Sequence, residues 1–149
     1  MIPSTIWTDP DAIFSTKACS AGCGGLTSDH YFHAAFPTEI LQQSLAIHNL
    51  ELLAILVAAR LWGSQWTGLR ILVRSDNFVV VQALNSGKAS DPFLAAGLHE
   101  LWFVAACNAF EVRAVHLSSS ENRAADLLSP WHLDSRYASH FLSLPILVV

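Results

Sequence analysis

The feature that most restricts what this chain can fold into is a change of hydrophobic period near residue 45. Upstream of it, residues 12–18 (AIFSTKA), 22–28 (GCGGLTS) and 31–36 (YFHAAF) are short β-compatible runs separated by small or polar turn residues. That spacing predicts an antiparallel meander. Downstream, Leu50, Leu53, Ala54, Val57, Ala58 and Leu61 recur at helical spacing within residues 47–66, and Gly63 and Gly68 mark the exit. Residues 69–75 (LRILVRS) alternate around Ile71 and Val73, then pass through Asp76-Asn77 into a helical FVVVQALNSG that ends at Gly87. Asp91 and Pro92 supply the N-cap and first turn of a helix reaching Phe110. EVRAVHLS reads as a strand, and NRAADLLSPW as a last helix that Pro130 ends or kinks. The order βββ-α-β-α-α-β-α predicts an α/β fold: a mixed five-stranded sheet, antiparallel meander first and β-α alternation after it, with helices packed on it.

A chain of 149 residues suits one domain spanning 1–149. Its composition is apolar, with 52% hydrophobic and 13% charged residues and a mean hydropathy of +0.39, so part of the surface is expected to face neighbouring domains. The longest apolar run, Leu52 to Ala59, is closed by Arg60 and falls short of the roughly 20 residues a bilayer span needs. No membrane partner is expected. The start, MIPSTIWTDPDA, has neither the basic nor the apolar region of a secretory signal, which predicts an intracellular protein, in cytoplasm or nucleus. The net charge of −4 gives no field that gathers polyanions, so a grip on nucleic acid would draw positive charge from neighbours. Cys19, Cys23 and Cys107 lack paired zinc spacing and read as reduced thiols, and the seven scattered histidines form no metalloenzyme motif.

Three acids stand in informative places. Glu51 interrupts the apolar helix NLELLAILVAA, where burial without a partner costs several kcal/mol in order of magnitude. Asp76 follows a strand that reads as buried, at the end where open α/β sheets place ligands. Asp126 lies in NRAADLLS, within a helix that follows a strand. Taken singly, each has a plain reading: a solvent-facing glutamate, a helix cap shared with Asn77, a solvated aspartate.

Taken in series they carry more. The order of W-x-D-P-D-A, A-C-S-A-G-C-G-G-L, H-N-L-E-L-L-A-I, L-V-R-S-D-N, R-A-V-H-L and N-R-A-A-D-L-L-S resembles the RNase H domains of DIRS-type and related tyrosine-recombinase retrotransposons. The resemblance runs over residues 7–137, leaving 138–149 as a C-terminal tail or the start of a connection to a following region. It implies an RNase H-like fold and hydrolysis of RNA in RNA–DNA hybrids, with two divalent ions roughly 4 Å apart activating water and stabilising the leaving oxygen. Mg²⁺ or Mn²⁺ would be the ion, Glu51, Asp76 and Asp126 its ligands, and His116, at the end of the last strand, an auxiliary. The implied partners are the hybrid itself and the polymerase domain of a reverse transcriptase in the same polyprotein.

One position breaks the pattern. Where the resembled family carries its first aspartate, on the first strand just before A-C-S-A-G-C-G-G, this chain has Lys17. A charged lysine offers three donors and no lone pair, so it cannot ligate a metal. Asp11 and Asp9 lie six and eight residues upstream, and moving either into place carries the glycine pair out of alignment. Ser119, Ser120 and Pro130 also depart from the family pattern. The reading is therefore an RNase H-like domain with hydrolysis impaired or lost, the alternative being a catalytically silent structural or hybrid-positioning domain. A fortuitous set of acids on an unrelated α/β binding module is the third reading. Lys17 is expected to project toward Asp76 and pair with it or with Glu51.

Overall fold

The computed structural model describes residues 9–143. Strands β1 (Ala12–Ala18), β2 (Gly22–Leu26) and β3 (Tyr31–Ala35) form the meander; a single helical turn α1 (Thr38–Leu41) and a long helix α2 (Ile47–Trp62) follow. The chain returns through β4 (Arg70–Ser75), helices α3 (Phe78–Ser86) and α4 (Pro92–Asn108), and β5 (Glu111–His116), and it closes with α5 (Arg123–Leu128) and α6 (Ser135–Leu142). The sheet order is β3-β2-β1-β4-β5, antiparallel on the β3-β2-β1 side and parallel from β1 through β4 to β5. This is the mixed five-stranded α/β sheet that the change of period predicts.

Alternation sets the register. In β1, Phe14, Thr16 and Ala18 are buried, and in β4 Ile71, Val73 and Ser75 are, so pairing Phe14 with Val73 brings their apolar sides to one face. Phe14 stacks on Trp66 with ring centroids 5.0 Å apart and meets Trp62 edge-on at 6.4 Å. Helix α2 is less one-sided than its spacing predicts. It lies between the sheet and α4, so Leu52, Ile55 and Leu56 are buried along with Ala54 and Ala58, while Leu61 is exposed. Its α-helical part ends at Trp62 instead of Trp66, and one 3₁₀ turn, Gly63–Gln65, completes it.

Strand β2 is glycine-rich, a composition poor for a strand. The reason is contact: a Cβ at Gly24 would sit 2.2 Å from the Leu128 Cβ, so only glycine lets α5 lie on the strand. Gly87, with φ of 77°, ends α3 in the left-handed conformation that glycine adopts without strain. Asp91 caps α4 by accepting the Leu94 N–H at 2.7 Å. On the outer strand β5, Glu111 and Leu117 donate back toward the β4 side, whereas Ala114 faces the open edge. There the Asn85 side chain of α3 donates to the Ala114 carbonyl at 2.8 Å and accepts its N–H at 2.9 Å.

Residues 138–142, expected as a C-terminal tail or the start of a connection, lie in α6, whose Phe141 is fully buried against a small core with Leu26, Ala125 and Leu128. Pro130 ends α5 as expected, but Asp134 starts a new helix by accepting the Arg136 N–H at 2.9 Å. Residues 1–8 and 144–149 lie outside the described residues. Among the described residues no helix is long and apolar enough to cross a membrane.

Candidate active site

Parallel pairing of β1 with β4 lays their C-terminal ends side by side, with Ser15 opposite Arg74. Two residues further along each strand stand Lys17 and Asp76. Asp76 has no capping duty, because Asn77 caps α3 by accepting the Val80 N–H at 3.1 Å. Glu51, in the first half of α2, is buried and reaches the end of β1, where one carboxyl oxygen accepts the Ala18 N–H. Lys17 fills the space between the two acids. Its ammonium donates to Asp76 Oδ1 at 3.1 Å and Oδ2 at 3.0 Å, and lies 3.5 Å from Glu51 Oε2. Lys17 thus projects where the charge argument on the sequence expects it.

Burial decides the electrostatics. The Lys17 side chain is 21% exposed, those of Glu51 and Asp76 only 2% and 4%. Burial pushes the Glu51 carboxyl up to about 8, against the pull of Lys17 and helped by the neighbouring Asp76. At neutral pH Glu51 therefore keeps its proton. Burial also works against the Lys17 charge, but Glu51, Asp76 and, more remotely, Asp126 overcome it and hold the ammonium pKa above its usual 10.5. A lysine held charged in this way is no nucleophile, which leaves it a donor and a counter-charge.

The other anticipated residues are arranged around this centre. Asp126, in the first turn of α5, is exposed and acts on Lys17 only through its charge. His116, at the end of β5, uses Nε2 to donate to the Asp76 carbonyl oxygen at 3.2 Å, and its ring meets Phe78 edge-on at 5.8 Å. It thereby supports the backbone of Asp76. Asn122 was not anticipated: buried just ahead of α5, it donates to the Thr16 carbonyl at 2.9 Å and ties the Asp126 helix to β1 beside Lys17. A polar residue four positions before an acid on a helix is its only sequence trace. A cleft of about 430 Å³ lies at the opposite end of β1, lined by Asp11, Asp29, His30, Trp62 and Trp66, and includes none of the site residues.

The donor set does not fit a pair of divalent ions. Glu51, Asp76 and Asp126 were the expected ligands of Mg²⁺ or Mn²⁺, but Lys17 occupies the ground between the two buried acids. A charged ammonium has no lone pair to give a metal. Among the described residues, no group of three or more His, Cys, Asp or Glu is disposed to hold a metal ion.

No protein-family model and no curated protein matches the sequence. Solved structures do match the fold. LC11-RNase H1, isolated from compost by a metagenomic approach, superposes with a TM-score of 0.68 at 17% identity over 86% of this chain and 99% of that one. RNase H1 from the halophilic archaeon Halobacterium salinarum does so with 0.64 at 16% identity, over 83% of this chain and 96% of its own. The foamy viral protease-reverse transcriptase in complex with RNA/DNA hybrid gives 0.56 at 12% identity, over 87% of this chain and 22% of that chain. At these identities the likeness establishes the fold, which is that of RNase H, and nothing finer.

Proposed function

We propose that this chain is the RNase H-like domain of a retroelement reverse transcriptase, of the DIRS-type or related tyrosine-recombinase group, and that it positions RNA–DNA hybrid with its hydrolytic activity impaired or lost. The observation that carries the reading is the Lys17 ammonium, 3.0 Å from Asp76 and 3.5 Å from Glu51. In the chemistry implied for such domains, divalent ions generate the attacking hydroxide and stabilise the leaving oxygen. An ammonium there supplies charge but neither function.

A place within a larger polypeptide is supported by the foamy viral protease-reverse transcriptase, in which the matching fold makes up 22% of a longer chain. A polymerase domain of the same polyprotein is the partner that this reading supplies.

The test is cleavage and binding of a labelled RNA–DNA hybrid by the purified domain in Mg²⁺ and in Mn²⁺. The expected result is weak binding with no cleavage above background, and cleavage that rises by orders of magnitude in Lys17→Asp. Efficient cleavage by the unmodified chain that Lys17→Asp does not improve would overturn the reading.

A further inference from the structure

We infer that the Lys17 ammonium is the resident cation of this site: it stands in the place of divalent ions and lets the domain bury Glu51 and Asp76 together, and fold, without any metal. The inference rests on side-chain geometry and not on the retroelement reading.

Four observations carry it. The first is the direction of the donors. An ammonium has three N–H groups; here two bonds go to Asp76, at 3.1 and 3.0 Å, and the third side of the nitrogen faces Glu51 at 3.5 Å. The charge is spent inward, and little of it is offered to an incoming phosphate. The second is that Asp76 needs it. Its side chain is 4% exposed, and beside a protonated Glu51 the Lys17 ammonium is the counter-charge set directly against it. Removing one partner from such a cluster leaves an uncompensated buried charge, the expensive case.

The third observation is that the cation is held from both ends. Pairing with Gly24 of β2 fixes the backbone at Lys17, both Asp76 oxygens hold the ammonium, and Glu51 is anchored to the N–H of the very next residue, Ala18. The fourth is that no competing ligand cluster exists among the described residues. A divalent ion entering here would shed tightly held water and displace a cation already attached to the chain. Mg²⁺ dehydrates reluctantly, and the tethered ammonium loses no translational freedom on binding.

The experiment uses the whole chain, no nucleic acid, and Mn²⁺ as the probe. Thermal unfolding is recorded in Mn²⁺ and in chelator, and free Mn²⁺ is followed by its electron paramagnetic resonance signal. The wild type is expected to unfold at the same temperature in both and to leave the Mn²⁺ signal undiminished. Lys17→Ala should lower Tm in chelator on the order of 10 °C, as loss of one member of a buried ionic cluster does. Lys17→Asp should also fall in chelator, recover with Mn²⁺, and draw Mn²⁺ out of solution. A wild type whose Tm rises with Mn²⁺, or a Lys17→Ala variant that unfolds at the wild-type temperature in chelator, would overturn the inference. Those two arms decide the matter even where Lys17→Asp fails to fold. Loss of hybrid binding would leave this result untouched, so the two proposals can fail separately.

Discussion

Replacing Glu51 with glutamine is expected to stabilise this domain in alkaline solution. Glu51 titrates near 4.5 in an unfolded chain and at about 8 in the fold, chiefly because burial disfavours its charge. Between those values the folded state keeps a proton that the unfolded state releases, so stability falls as pH rises. The slope is about 1.4 kcal/mol per pH unit for one proton. The whole interval amounts to on the order of 5 kcal/mol, lost by the time the pH has risen past about 8. Glutamine keeps an oxygen for the Ala18 N–H and cannot ionise. The two proteins should therefore be similar near pH 5, with Glu51→Gln ahead by about 3 kcal/mol at pH 7 and about 5 kcal/mol at pH 9. Lys17 does not disturb this window. Its pKa is raised, so its contribution is complete below 10.5 and is lost only as pH climbs through the higher folded value. Urea unfolding of both proteins at the three pH values is the assay. A difference that is flat with pH, or a Glu51→Gln variant less stable at pH 9, would refute the reasoning by showing that Glu51 is ionised in the fold.

Three further outcomes follow from the packing and the charge. Gly24→Ala would place a methyl group on Leu128 and should cost about 1–3 kcal/mol by thermal unfolding, because the obstacle is a Cβ and backbone that cannot turn away. Phe141→Ala removes a fully buried ring from the small core beneath α5 and α6. It should lower stability by about 3–5 kcal/mol and open the last helix to limited proteolysis before the rest of the chain. Hybrid binding by the isolated chain, measured by fluorescence anisotropy, should be weak and fade steeply as salt is raised, since a domain of net charge −4 relies on few phosphate contacts; tight binding that persists in high salt would reveal a nucleic-acid surface not described above.

Most of the fold is legible in the sequence because single-residue physics is consistent over whole elements. β1 spans residues 12–18 as its alternation predicts, and the Asp91-Pro92 pair starts α4 where capping chemistry puts it. The departures have physical causes. Helix α2 is buried on two sides, so Leu61, in step with the apolar stripe, is exposed while Leu52 and Ile55, out of step with it, are core. Helix α6 presents mixed polarity with one deeply buried ring, a pattern too sparse to distinguish from a tail. At the site, the partnership of Lys17 with Asp76 is legible through the resemblance, which sets Lys17 at the place of an aspartate beside the strand that ends at Asp76. The burial of Glu51 is legible only in part: an acid amid leucines requires a partner, but the Ala18 N–H that donates to it comes from a strand 33 residues away. Asn122 is invisible in sequence because its role lies in reaching the β1 backbone across 106 residues.

The Asn85 amide closes part of the sheet's outer rim. A primary amide carries one donor and one acceptor side by side, the same pair that a neighbouring strand would offer, and Asn85 presents both to Ala114. To the outer strand it is one residue of an extra strand that goes no further. A peptide seeking to lengthen the sheet at β5 finds the middle of that rim already answered. To join there, a neighbouring strand would first have to displace the chain's own α3 amide.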